Sequence, residues 1–183
     1  MAAYNLIATT TVGSGGAASI VFSDIPQTFT DLQIMFSLRS SNTDANTGNY
    51  DPLLYRLNST TSGYTGRVLD GQNTSAYSGT LTTATSSAAT GTWGRCTDAG
   101  VNNANSTANC FSSTTFYIPN YAGSTHKSIS VDSAMEQNQA ASWLELLALL
   151  WSNTAAITSM AFALQGGNFL QYSSASLYGI KNS

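Results

Sequence analysis

Apolar and polar residues alternate over short spans of this chain, and polar, turn-forming stretches separate the spans. The clearest is "DLQIMFSLR". Leu32, Ile34, Phe36 and Leu38 share one face, while Asp31, Gln33, Ser37 and Arg39 supply most of the other. A period of two belongs to a strand with one buried and one wet face. In "PLLYRLN" Leu53, Tyr55 and Leu57 fall together, and in "SISVDSAME" so do Ile129, Val131 and Met135. Shorter strands are predicted in "YNLIATT", "ASIVF", "TTFYIP", "SMAFAL" and "SASLYGI".

"ASWLELLALLW" admits two periods. Trp143, Leu146, Leu147 and Leu150 fit a helical face, whereas Trp143, Leu147, Leu149 and Trp151 fit a strand. Leucine leans helical by propensity, but strand-like units flank the segment on both sides, so residues 142–151 are expected to form a strand. Apolar on both faces, such a strand would lie between two layers, or between one layer and a neighbouring subunit. Trp143, Leu147, Leu149 and Trp151 are therefore the candidate interface.

Between these units lie "SSNTDANTGNYD" and a stretch from about 71 to 113, mostly Ser, Thr, Ala, Gly and Asn with Tyr77, Trp93 and Phe111 interspersed. A structureless loop of that length is unusual in a compact domain. One or two irregular strands and an exposed excursion are expected there. No composition shift marks a second domain. About ten short strands with turns between them predict one all-β domain over residues 1–183, a β-sandwich of jelly-roll type with long polar loops.

Composition sharpens this picture. Of the 183 residues, 42% are hydrophobic, enough for a core, but only 8% are charged, against roughly 25% in ordinary soluble domains. Ser, Thr, Asn, Gln and Gly take the place of charge; they form helices poorly and favour strands or turns. A net charge of −3 gives a free subunit little protection against self-association, so a place in a large assembly is expected. Six scattered basic residues give no footprint for nucleic acid. "MAAYNLIATTTVGSGG" has no charged, apolar leader pattern, and "WLELLALLW" is too short to span a bilayer.

Candidate chemistry is sparse. His126, the only histidine, sits in "FYIPNYAGSTHKSIS" beside Lys127, where Pro119, Asn120, Gly123 and Ser124 read as a turn. No serine occupies a nucleophile elbow that could use it. Glycosidic chemistry needs two carboxyls about 5–10 Å apart; Asp132 and Glu136, on one face of one strand, would stand roughly 13 Å apart. "DANTGNYD" (Asp44, Asn46, Gly48, Asp51) lacks the glycine placement and closing Glu of a calcium loop and reads as a polar turn. Cys96 and Cys110 bracket a Gly/Asn-rich loop and cannot build a zinc site alone; two free thiols are expected, with a late disulfide as the alternative. Tyr64, Tyr77, Trp93 and Tyr121 lie in polar surroundings that suit either sugar platforms or a subunit interface. Tyr77, Trp93 and Tyr121 are the candidate recognition residues. No catalytic residue, cofactor or metal is expected.

Four stretches carry a family resemblance: "LIATTTVGSGGAASIVFSDIPQTFTDLQI" at 6–34, "FYIPNYAGSTHKSISVDS" at 116–133, "LWSNTAAITSMAF" at 150–162 and "GNFLQYSSASLYGIKNS" at the C-terminus. The chain resembles small β-rich virion proteins of tailed bacteriophages of marine and freshwater bacteria and cyanobacteria. Residues 40–112 share nothing with them. The resemblance implies a non-enzymatic component of the particle surface, whose partners are other virion proteins. Most directly it implies a capsid decoration or cement protein, an oligomer such as a trimer that clamps capsid subunits. The alternative is a tail-fibre or receptor-binding module that contacts host glycans. The short chain, without a fibrous attachment segment, favours decoration. A secreted hydrolase or lectin is the third reading, disfavoured by the missing leader and catalytic constellation.

Overall fold

A computed structural model describes residues 3–44, 49–139 and 141–181. Among these residues there are fifteen strands and no helix. Nine strands fall where the alternation places them: β1 (Ala3–Thr11), β2 (Ser19–Phe22), β3 (Asp31–Leu38), β5 (Leu53–Leu57), β11 (Ser112–Ile118), β12 (Lys127–Met135), β13 (Trp143–Trp151), β14 (Met160–Leu164) and β15 (Ser174–Lys181). The ambiguous "WLELLALLW" is thus a strand, because β12 on one side and the strand Tyr64–Gln72 on the other hydrogen-bond it over its full length. Backbone pairing on two edges overrides leucine's local preference for helix.

The other six strands are β4 (Tyr50–Asp51), β6 (Tyr64–Gln72), β7 (Ser75–Leu81), β8 (Thr83–Thr85), β9 (Thr92–Arg95) and β10 (Val101–Asn102). Four of them, β7 to β10, fill the 71–113 stretch, which is more regular than the one or two strands expected. Its first turn is a two-residue hairpin: Gln72 pairs with Ser75, and Asn73 takes the left-handed conformation at φ 47° that such turns need.

The strands form two main antiparallel sheets. The larger runs β1-β15-β3-β11-β12-β13-β6-β7 and the smaller β2-β14-β5-β9-β8, with β10 and β4 paired separately. The sheets face one another in a sandwich-like arrangement, and the core lies between them. Rings interlock across the gap: Phe36 of β3 meets Phe162 of β14 at 4.8 Å, and Phe116 of β11 meets Tyr55 of β5 at 5.4 Å. Leu32, Ile34, Phe36 and Leu38 all face this core, as do Leu53, Tyr55 and Leu57, and Ile129, Val131 and Met135 are buried with them. The outer face of the smaller sheet is partly covered by its own chain, where Trp93 packs on Leu54 and Ala163. On the outer face of the larger sheet no segment of the described residues lies over Leu69, Leu144 and Leu146.

Candidate interaction surface

Strand β13 sits inside the larger sheet, so its two faces are set by strict alternation. Trp143, Glu145, Leu147, Leu149 and Trp151 point inward; Leu144, Leu146 and Ala148 point outward and Leu150 is half-buried beside them. Leu144 is 64% exposed and Leu146 53%. The register extends the patch sideways: Leu146 stands opposite Leu69 of β6, itself 56% exposed, and Leu144 lies between Ala134 of β12 and Gly71 of β6. Three neighbouring exposed leucines on a flat sheet face make a contiguous apolar patch.

Around the patch the face is nearly uncharged. Ser128 and Ser130 of β12, Thr115 and Ser113 of β11, Ser37 of β3 and Ser176 of β15 present hydroxyls, with an exposed Met35 among them. Within the described strands the exposed charges on this face are Asp132, opposite Leu146 on β12, and Arg67, next outward residue after Leu69 on β6. Arg67 donates to Thr80 Oγ1 at 2.8 Å.

The residues expected at an interface are elsewhere. Trp143, Leu147, Leu149 and Trp151 are all buried against this chain's own core, with Trp151 fully enclosed and its Nε1 donating to Thr60 Oγ1 at 3.1 Å. The strand is apolar on both faces as expected, but the second layer of this chain covers the face that carries these four residues. Two of the three candidate recognition residues are corrected as well. Trp93 is 3% exposed, with the Arg56 guanidinium 3.8 Å above its ring. Tyr121 is fully buried and donates its hydroxyl to the Pro26 carbonyl. Tyr64 is buried too, donating and accepting at its hydroxyl around Thr60 and Leu57. Polar sequence neighbours made these rings look accessible; hydrogen-bond partners and apolar walls hold them inside. Only Tyr77, 47% exposed on the edge strand β7, remains available.

Two carboxyls that no motif points to meet inside the fold. Glu145 is fully buried, and its Oε1 accepts from the Ala99 and Asp98 backbone N–H at 2.7 and 3.1 Å. Gly100, at φ 72°, closes this turn in the left-handed conformation that favours glycine. Directly across the ladder stands Asp70, also buried. Burial outweighs the two hydrogen bonds, and neighbouring Asp98 and Asp70 add to it, so the Glu145 carboxyl is pushed up to about 7. Burial raises Asp70 as well. Both side chains are buried on the inner face of β6 and β13. The carboxyls considered from sequence, Asp132 and Glu136, are both exposed.

The histidine segment divides sharply. His126 is exposed in the turn between β11 and β12. Lys127, expected beside it as a polar exit, is instead buried, and its Nζ donates to the Gly123 and Thr125 carbonyls at 2.6 and 2.5 Å. The ammonium gathers the turn's carbonyls from within, and burial lowers its pKa. In "DANTGNYD", Asn46 and Gly48 lie outside the described residues. Asp51 is buried and accepts from Ser40 Oγ at 2.6 Å and Gly166 N–H at 2.7 Å, a structural carboxylate rather than a loop ligand. Cys96 and Cys110 are free thiols, Cys96 deeply buried. Among the described residues no three His, Cys, Asp or Glu side chains come together as a metal site.

No family model matches this sequence, and no curated protein matches it.

Proposed function

We propose that this chain is a non-enzymatic structural protein of a tailed-phage particle, a decoration or cement protein held on the capsid surface among other virion proteins. The observation that carries the reading is the outer face of the larger sheet. It combines Leu144, Leu146 and Leu69 with a nearly charge-free field of hydroxyls, the composition of a surface meant for lasting contact rather than free solution. The resemblance of the chain's ends and second half to phage virion proteins supplies the setting. Sealing of the Glu145–Asp70 pair away from solvent fits a protein that binds and does not turn over a substrate.

The fold is read as a jelly roll on its strand order. Eight strands taken in sequence as β1, β2, β3, β5, β9, β11, β14 and β15 cross from one sheet to the other at every step except β5 to β9, which stay in the smaller sheet. They leave β1-β15-β3-β11 in one and β2-β14-β5-β9 in the other. That interleaving fits two Greek keys. β12, β13, β6 and β7 then extend the first sheet and carry the leucine patch.

The receptor-binding alternative loses support with Trp93 and Tyr121 buried, which leaves Tyr77 alone of its recognition set. Imaging purified particles labelled with an antibody against this chain tests the proposal. Label over the heads is expected; label confined to tails, or absence from particles, overturns it.

A further inference from the structure

Asp132 and Arg67 flank the leucine patch on opposite sides and cannot reach one another. Asp132 lies opposite Leu146, Leu146 opposite Leu69, and Arg67 is two residues from Leu69. Two strand spacings and one two-residue step separate the charges by about 12 Å. Within the described residues Asp132 has no cation beside it; the one ion pair is Arg95 with Asp98. A face with one exposed acid and one exposed base on either side of an apolar centre is complementary to itself.

We propose that the outer face of the larger sheet binds the same face of a second copy of this chain. A two-fold axis lying in the interface sets Asp132 of each copy over Arg67 of its partner, and the same operation brings the leucines of the two patches together. Such isologous pairing uses every group twice. It is sheet-on-sheet packing, with faces about 10 Å apart as in a β-sandwich. The area is sufficient. With the axis at β13 the two copies overlap over about five strands, β7, β6, β13, β12 and β11; at about 4.8 Å spacing and some 25 Å long these present roughly 600 Å² per partner, the low end of what a stable complex commits. The small side chains opposite the patch matter too, because Ala148, Ala134 and Gly71 leave room for a partner's leucines. The inference rests on the reading of this face as a lasting contact and names its occupant.

Charge exchange tests it in the full chain. Sedimentation over about 1 to 100 μM is expected to show a dimer for the unaltered protein. Asp132→Arg places two cations together across the axis and Arg67→Asp two anions, so each alone weakens association at least about tenfold. The double exchange R67D/D132R restores it to within about threefold. Both positions are exposed, so folding is preserved, and circular dichroism checks this. A monomer throughout, or a dimer indifferent to both single exchanges, overturns the inference. If the monomer still labels capsid heads, the decoration reading stands and only the self-pairing falls. If a dimer forms as described but no particle carries it, the pairing stands and the virion reading falls.

Discussion

Both faces of β13 are mostly apolar, yet they have opposite fates. Inward, Trp143, Leu147, Leu149 and Trp151 are covered by a second layer, and the strand's single charge, Glu145, is covered with them. Outward, Leu144 and Leu146 meet solvent. The charge is inside and the leucines are outside, which reverses what polarity alone would assign. Alternation fixes which residues share a face; which face is covered depends on what the rest of the chain lays against it. Here the turn at 97–100 reaches under β13 and supplies two N–H donors to Glu145, while no segment of the described chain lies over Leu144 and Leu146. The turn accounts for the buried carboxyl, and a partner on the outer face would account for the bare leucines beside it.

The comparison breaks most visibly at Trp151. Trp151→Ala removes a fully buried ring and its hydrogen bond to Thr60, and is expected to cost about 3–5 kcal/mol of folding stability. Denaturant midpoints at constant slope measure it. A loss below about 1 kcal/mol would mean that the inner face is not the core.

Glu145 gives the next largest effect, and it depends on pH. Its carboxyl titrates at about 7 in the fold against 4.5 when exposed. Between those values the folded chain holds a proton that the unfolded chain has released, so stability falls as pH rises. The loss is complete above about 7 and amounts to about 3 kcal/mol. Burial raises Asp70 and Asp51 too, and they add to the fall in the same direction. Glu145→Gln keeps an acceptor for the Asp98 and Ala99 N–H but cannot ionise. Unfolding by urea at pH 4.5 and at about pH 8 should show the variant losing much less stability than the parent. Parallel losses in the two proteins would refute the assignment.

These residues also mark where the sequence was legible. β3 and β5 follow a clean period of two because their inner positions are apolar, and β12 keeps it through Ile129, Val131 and Met135 although Lys127 and Ser133 share that face. β6 hides the same geometry, with inner positions Tyr64, Gly66, Val68 and Asp70 and an outward Leu69. Gly66 stands opposite Leu149, where a Cβ would collide with the leucine side chain, and the buried Asp70 accepts from Gln72 Nε2 at 3.4 Å. Neither substitution of apolar by small or acidic residues can be decoded before the neighbouring strand is known. The same holds for the site. The strand carrying the patch was evident from "WLELLALLW", but its phase was not. Polar sequence neighbours point Trp93 and Tyr121 to the surface, although in space Arg56 stacks on the first and the Pro26 carbonyl accepts from the second.

Lys127 lies opposite Trp151 in the ladder and sharpens the contrast at its rim. Lys127→Met retains the buried stem but leaves the Gly123 and Thr125 carbonyls without their donor. A loss of about 1–3 kcal/mol is expected, with earlier amide exchange in the 119–126 turn. The adjacent His126→Ala, on an exposed side chain, should change stability by less than about 0.5 kcal/mol and leave assembly and infectivity nearly intact. Equal effects from the two neighbours would erase the distinction between them.

The smallest effect on folding belongs to the outer leucines. Leu146→Ser removes an apolar side chain that is already half in solvent, so in a chain diluted to the monomer the change should stay within about 0.5 kcal/mol. Association should respond far more, because in the dimer the same side chain sits at the centre of the contact, where truncations cost most. The pair of measurements separates the two faces of the strand: Trp151→Ala harms folding at every concentration, whereas Leu146→Ser harms only what happens between chains. Were Leu146→Ser to destabilise the monomer as strongly as Trp151→Ala, the outer face would be part of the fold's own core and no longer a surface awaiting a partner.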